Sequence, residues 1–489
     1  MSAAWQRDGY EAVIGLEIHV QLNTASKMFC ACPNQFGDEP NTNVCFVCLA
    51  HPGALPVANA EAVRQSARVG LALGCRIPDS SEFSRKQYFY PDSPKAYQIS
   101  QYDQPLCAEG LFRVPGTDGF EVRITRAHLE EDAAKMIHAG GDSGRISGSA
   151  GSIVDFNRVG TPLLEIVTEP DLRSPEDARR FLTLLRATVV AIGASECDME
   201  KGSLRVDANV SLRPIGSTEY GTKTELKNMN SFRFLERGVE AELERQLGRL
   251  QAGEQIEQET LHFDPASGTL SSLRSKEQAH DYRYFPEPDL LPVTQDRDAL
   301  AALAADLPEL PVARFERLHA AGIVEATALV LATDTELAAY FDDLAARTGD
   351  VKLASNWVMG ELQAHLNADG LSAAASPVTP ARLAELITLV ADGTINQTAA
   401  KEVFAALVED PGATAAGVVE ERELAQVGGD DALGEIIDAV LAAHPDEVEA
   451  FKGGREQVIG FLVGQCMKQS GGRADAKALQ GLLRARLRA

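Results

Sequence analysis

Glu17 and His19 stand two apart in the run V-I-G-L-E-I-H-V-Q-L, residues 13–22, in which Ile14, Leu16, Ile18, Val20 and Leu22 are all apolar. A period of two is a strand with one buried face, so carboxylate and imidazole share the other face and can converge on one ion or one phosphate. The device repeats. Arg205, Asp207 and Asn209 alternate with Leu204, Val206, Ala208 and Val210, and Lys223, Glu225 and Lys227 alternate with Thr222, Thr224 and Leu226. Glu165 is alone in an otherwise apolar or neutral run, 163–168, and a carboxylate in that setting requires a partner. His128-Leu129-Glu130-Glu131-Asp132 adds three acids directly after the strand-like 122–126. Carboxylates and a histidine interleaved with lysines and arginines suit magnesium and nucleotide phosphates. The bland alternative is the solvated face of an antiparallel sheet.

Cys30-x-Cys32 and Cys45-x-x-Cys48 flank a polar loop containing Pro and Asn. Paired thiolates on tight turns can close a tetrahedral zinc site in a reducing compartment, and a site with four protein ligands is structural. Cys75, Cys107, Cys197 and Cys466 lack such spacing and read as core residues. The segment 84–98 is dense in aromatics and cations, among them Arg85, Lys86, Tyr88, Tyr90, Lys95 and Tyr97, which could stack on a nucleotide and hold its phosphates, although taken alone it reads better as a solvated loop. A related cluster runs from Arg274 through Lys276, His280 and Asp281 to Tyr282, Arg283 and Tyr284. The Gly-rich stretch 140–151 has no Gly-Lys-Ser/Thr and no helix pattern after it, so it reads as a hairpin connection rather than a phosphate loop. No Gly-x-Ser-x-Gly elbow occurs, and nothing in the chain reads as a means of hydrolysing glutamine.

These groups must be positioned by more than one domain, because 489 residues are too many for one core. Residues 1–293 read as strands joined by turns with a few helices, at 60–73, from the cap Ser174 and Pro175 onward, and at 232–250. Beyond Pro292, Ala, Leu and Glu dominate and the period becomes helical, as in Leu383, Leu386, Ile387 and Val390. Pro377 to Pro380 and the run 410–413 divide the helices into groups, and the last carries Val458, Phe461, Leu462 and Cys466 on one face. The expected class is α+β: a domain with a mixed or antiparallel sheet (1–293), an all-helical domain (294–409) and a small helical tail (410–489). The apolar fraction of 45% and the lack of any apolar run of about 18 residues predict a cytoplasmic protein with no membrane partner. A net charge of −25 argues against wholesale wrapping of nucleic acid. The tail has the opposite sign, with Lys468, Arg473, Arg484, Arg486 and Arg488 as candidate nucleic-acid contacts.

The segments G-L-E-I-H-V-Q-L, R-K-Q-Y-F-Y-P-D-S-P-K-A-Y-Q-I-S-Q, H-L-E-E-D, N-R-V-G-T-P-L-L-E-I-V-T-E-P-D, G-S-L-R-V-D-A-N-V-S and D-Y-R-Y-F-P-E-P-D-L occur in that order. Together they closely resemble the B subunits of the tRNA-dependent amidotransferase GatCAB, over essentially the whole length. The resemblance implies that the first domain is a cradle, that ATP phosphorylates the side-chain carboxylate of Glu-tRNA(Gln) or Asp-tRNA(Asn) and that ammonia then displaces the phosphate. It implies as partners an amidase A subunit that supplies the ammonia, a small C subunit and misacylated tRNA, with the cognate aminoacyl-tRNA synthetase a further candidate. Carried over by motif, Glu17, His19, Glu131, Glu165 and Asp207 would hold magnesium. Lys86 and Lys95 would neutralise the transferred group, and Tyr88, Arg158 and Lys227 join them as candidates for binding ATP. Glu130 and Glu225 are weaker candidates in the same wall. Zinc cysteines occur in only some members, so Cys30, Cys32, Cys45 and Cys48 would support structure. Phe46, Ala50 and His51 interrupt the commoner Cys-Pro-Val-Cys-Leu-Gly run, 140–151 looks longer than typical, and 471–476 lacks the usual Asn-Pro. Two competing readings are a non-catalytic tRNA-binding scaffold and the archaeal E-type relative, whose inserted domain a chain of this length has no room for.

Overall fold

The computed structural model describes residues 4–139, 151–227, 229–275, 282–426, 430–474 and 476–488. The Gly-rich run 140–150, Lys276 to Asp281 of the second aromatic cluster, and Asp475 lie outside these residues. The chain divides into two compact units, Met1–Arg317 and Leu318–Ala489.

The first unit is built on a mixed sheet whose main order is Thr269–Ser275, Glu259–Asp264, Thr224–Lys227, Leu204–Pro214, Tyr10–Gln21, Pro162–Thr168, Phe120–Glu131 and Cys107–Val114. All neighbours are antiparallel except Thr224–Lys227 with Glu259–Asp264. The strand Tyr10–Gln21 is central, and Ile14, Ile18 and Val20 on its apolar face are fully buried. Leu164, Ile166, Val206, Ala208 and Val210 from the adjoining strands are buried with them. The helices Pro175–Ala191 and Phe232–Gln251 pack on each other, and both touch the sheet. Ser174 caps the first by accepting from the Asp177 amide, with Pro175 as the first helical residue; Ser231 caps the second through the Phe234 amide. Phe181 meets Phe112 of the sheet edge to face at 5.5 Å between centroids. A third helix, Ala60–Ala72, is capped by Asn59 and approaches the strand Cys107–Val114 so closely that a Cβ on Gly70 would lie 2.4 Å from the Cys107 sulfur. Only glycine permits that approach.

The strands Lys135–Ala139 and Gly151–Asp155 pair antiparallel on either side of the undescribed run, as a hairpin requires. The last strand, Val293–Thr294, pairs with Ser80–Ser81, and helices follow from Arg297.

The second unit is helical. Leu383, Leu386 and Ile387 are buried as their spacing requires, and 410–413 forms the turn between Gln397–Glu409 and Ala415–Glu421. The tail helices have a core of their own, including Leu433, Ile437, Leu462, Cys466, Leu479 and Leu483. Phe461 departs from the expected stripe: it is 44% exposed and packs edge-on against His444 at 5.2 Å. No described helix is long and apolar enough to cross a membrane.

Candidate active site and four-cysteine centre

Sheet register assembles the polar face. His19 lies opposite Glu165 on one side and Arg205 on the other, and Glu165 lies in turn opposite His128. One row therefore reads His128, Glu165, His19, Arg205. Glu17 lies opposite Asp207, and the Lys227 ammonium reaches Asp207 at 3.4 Å. Because residues directly opposite share a face, five strands contribute to one wall. The wall lines a cavity of about 950 Å³, bordered also by Lys86, Tyr88, Lys95, Glu130, Glu131, Glu225, Tyr282 and Tyr284.

At its centre the His19 Nε2 is 3.4 Å from Glu165, 3.8 Å from Glu17 and 3.8 Å from Glu130. Loss of water works against charge on this imidazole, but Glu165, Glu130 and Glu17 outweigh it and push its pKa up to about 9. Burial does the same to a carboxyl: Glu130, with Glu165 beside it, is raised to about 7, and Glu17 is raised as well. Glu165 goes the other way, since His128 and His19 together overcome its burial and hold it well below the ordinary carboxylate range. His128 is pushed down to about 4, mainly by burial. The Arg126 Nε–H donates to His128 Nδ1 at 3.2 Å, so the neutral ring carries its proton on Nε2, which faces Glu165 at 3.6 Å. His128 therefore presents a proton toward the carboxylate wall, at a distance just beyond a direct hydrogen bond.

The remaining candidates divide by what they touch. Lys86 sits 5.0 Å over the Tyr282 ring; burial opposes its charge, but Glu130, Tyr284 and Glu165 hold it above the ordinary lysine range. Tyr88 stacks on Tyr90 at 4.7 Å and donates to Asp92. Glu131 borders the cavity, but its two oxygens are taken by the Lys95 ammonium at 2.6 Å and the Ile99 amide at 3.0 Å. Arg158 is not brought to the cavity wall: its guanidinium donates to the carbonyls of Ala133 and Ala134, both at 2.8 Å. Alternation along 126–130 is the signal that points to His128, since Arg126, His128 and Glu130 share a face.

The groups Glu17, His19, Glu165 and His128, Glu130, Glu165 each place ligand atoms within 4.8 Å of one another. Carboxylates crowded until their charges repel are what a divalent cation relieves, so the donor set fits a magnesium ion. The four cysteines form a second group. Cys48 lies 3.5 Å from Cys30, 3.8 Å from Cys45 and 3.8 Å from Cys32, sulfur to sulfur. A tetrahedron with metal–sulfur bonds of about 2.3 Å has edges of roughly 3.8 Å, so the cluster fits zinc without rearrangement. The Cys30 thiol above all holds Cys48 towards thiolate, down to about 4, against burial.

A concave wall of paired acids, imidazoles and ammonium groups lies on a sheet backed by helices, and residues 12–301 match the family model described as the GatB/GatE catalytic domain. Residues 339–487 match the model described as the GatB domain. The B subunit of the aspartyl/glutamyl-tRNA(Asn/Gln) amidotransferase of Moorella thermoacetica is 50% identical over 481 residues, 98% of this chain and 100% of that one. Its counterpart in Thermodesulfovibrio yellowstonii is 48% identical over 477 residues, 97% and 98% of the two chains. The B subunit of the chloroplastic/mitochondrial glutamyl-tRNA(Gln) amidotransferase of Physcomitrium patens is 46% identical over 485 residues, covering 98% and 86%. The chain belongs to this family of amidotransferase B subunits.

Proposed function

We propose that this chain is the component of a glutamine-dependent amidotransferase complex in which the side-chain carboxylate of misacylated Glu-tRNA(Gln), Asp-tRNA(Asn) or both is activated by ATP and amidated. The observation that carries this reading is the register that sets His128, Glu165 and His19 in one row, with Glu17, Asp207 and Lys227 beside it, over a cavity bordered by Lys86 and Lys95. Glu17, His19 and Glu165, with Glu130, would hold magnesium, which when bound supplies charge neutralisation for the nucleotide phosphates.

The chain's own groups do the rest. Lys86 and Lys95 offset charge on the phosphoryl group as the substrate carboxylate attacks its phosphorus and ADP leaves. His128, 3.6 Å from Glu165, turns its Nε2 proton toward that carboxylate. When ammonia adds to the acyl phosphate, the carbon–oxygen bond to phosphate breaks, and the departing phosphate can carry off the proton that the nitrogen sheds. An amidase A subunit would supply the ammonia and a C subunit would complete the complex. The three-part division at 293 and 409 stands as a proposal: the tail's separate core supports a boundary near 409, whereas the compact units divide between Arg317 and Leu318. ATP-dependent phosphorylation of Glu-tRNA(Gln) and Asp-tRNA(Asn) by the assembled complex tests the reading, with wild type compared against Glu17→Gln and Asp207→Asn. Undiminished turnover in both variants would make the acidic face structural.

Metal binding should depend on pH with a definite sign. Without metal, His19 keeps its proton up to about 9, and a ligand nitrogen must lose it, so affinity rises with pH through that range. Manganese binding followed by electron paramagnetic resonance should tighten by up to about tenfold between pH 7.5 and 8.5. A flat profile would remove His19 from the ligand set.

The tail offers a second prediction. Arg486 pairs with Asp438, Arg488 with Glu456 at 3.4 Å, and Arg473 donates to the Glu423 and Ser470 carbonyls. Of the five candidates, Lys468 and Arg484 make neither an ion pair nor a side-chain hydrogen bond among the described residues, which leaves them open to phosphate. Lys468→Gln with Arg484→Gln should weaken tRNA binding and reduce its salt slope by about two, more than Arg486→Gln with Arg488→Gln does. Equal effects from the two pairs would mean that the intramolecular ion pairs open on binding.

A further inference from the structure

Lys27 is fully buried in the first unit, 0% exposed. A lysine in that position ordinarily has an acidic partner, yet among the described residues no carboxylate pairs with it. Its Nζ instead donates to the Asn43 carbonyl at 2.7 Å, the Phe156 carbonyl at 3.3 Å and the Cys48 sulfur at 3.6 Å. Three donors meet three acceptors, which is the full complement of an ammonium group. Two of those acceptors are neutral, so the charge is compensated only if the sulfur is a thiolate.

The four-cysteine centre has the complementary deficit. Four thiolates around a divalent ion carry a net charge of two minus in a place where Cys48 is buried and its neighbours are half-buried. A cation fixed against one sulfur removes half of it. The backbone holds that cation in register: the Lys27 amide donates to the Cys32 carbonyl at 3.0 Å, and the Met28 amide to the Gly160 carbonyl at 2.7 Å. We propose that Lys27 is the fixed counter-charge of the four-cysteine centre, a positioning residue that sets the affinity of the centre for zinc. This rests on the reading of the cysteines as a zinc site. The rival role is a mechanical brace, in which the ammonium only ties the Asn43 and Phe156 carbonyls together.

Two substitutions in the full chain separate these roles. Lys27→Met removes both the charge and the hydrogen bonds, whereas Lys27→Gln keeps an amide donor for the carbonyls and removes the charge. Zinc content by elemental analysis, zinc affinity by competition with a chromogenic chelator, and the thiolate-to-cobalt absorption of the cobalt-loaded chain are measured for each. Both variants should lose zinc affinity by about 10- to 100-fold, with the cobalt band of a four-sulfur site retained but shifted in energy. Wild-type affinity in either variant, or rescue by Gln of what Met loses, assigns Lys27 to bracing and overturns the proposal. If only the Met variant fails to fold, the Gln variant decides; if neither folds in excess zinc, bracing is the role and the proposal falls. A wild-type chain that binds no zinc overturns the zinc reading itself, a result distinct from a zinc-loaded wild type matched by its variants.

Discussion

Glu165→Gln in the assembled complex is expected to lower ATP-dependent amidation by roughly a hundred- to a thousand-fold while leaving tRNA binding within about threefold. Glu165 is common to both acidic groups of the wall, and two imidazoles address it, His19 at 3.4 Å and His128 at 3.6 Å. Replacing one carboxylate oxygen by an amide nitrogen removes the anion that keeps His19 protonated, so burial then drives the His19 pKa down from about 9. The manganese profile should flatten accordingly, because the proton that metal would displace is already gone. Those two readouts move together only if Glu165 acts through charge in the site. A variant that loses amidation but keeps the wild-type manganese profile would place Glu165 in substrate positioning instead. The same carboxylate is nearly inaccessible to solvent, but His19, unlike a lysine, can release the proton that Glu165 holds on it, so the neutral amide strands no charge on the ring and should be tolerated by the fold. That makes the activity loss interpretable without appeal to unfolding.

What can be read from the chain and what cannot follow from the range of the interactions involved. A period of two exposes the polar face of Tyr10–Gln21 and of Leu204–Pro214 without knowledge of their partners, so Glu17, His19 and Asp207 are visible at once. Register is not local. Nothing in the run around Glu165 states that it will sit between His19 and His128, because that depends on which strands pair and in which phase. The acids 130–132 show the cost of reading a run as a block. Alternation puts Glu130 into the central cluster, whereas Glu131, at the strand end, turns to Lys95 and Asp132 binds Gln21 and Arg205. His128 is missed for the same reason. In the tail, counting charge finds the basic rim but cannot show that Asp438 and Glu456 occupy two of its arginines, since those acids belong to other turns of the helical core.

Breaking the Lys95–Glu131 pair should be costly twice, and the two costs can be separated. Both side chains are largely buried, with the ammonium 2.6 Å from Glu131 Oε2, and the Gln98 side chain also donates to the Glu131 main-chain carbonyl at 2.7 Å. The pair thus pins the strand Tyr97–Ser100 to the end of the strand Phe120–Glu131. Lys95→Met strands a carboxylate and Glu131→Gln strands an ammonium, each destabilising by about 3 kcal/mol in denaturant unfolding of the first unit. The double variant leaves two neutral groups and should regain more than half of that loss, because the penalty comes from the uncompensated charge rather than from a missing attraction. Activity should not follow. If Lys95 neutralises the transferred phosphoryl group, both variants lacking it lose amidation by roughly a hundredfold or more, and the double variant stays inactive although its fold is restored. Recovery of amidation along with stability would show that the ion pair is a clamp between strands, and the lysine that meets the phosphate would then have to be Lys86, which borders the same cavity under the pull of Glu130 and Glu165.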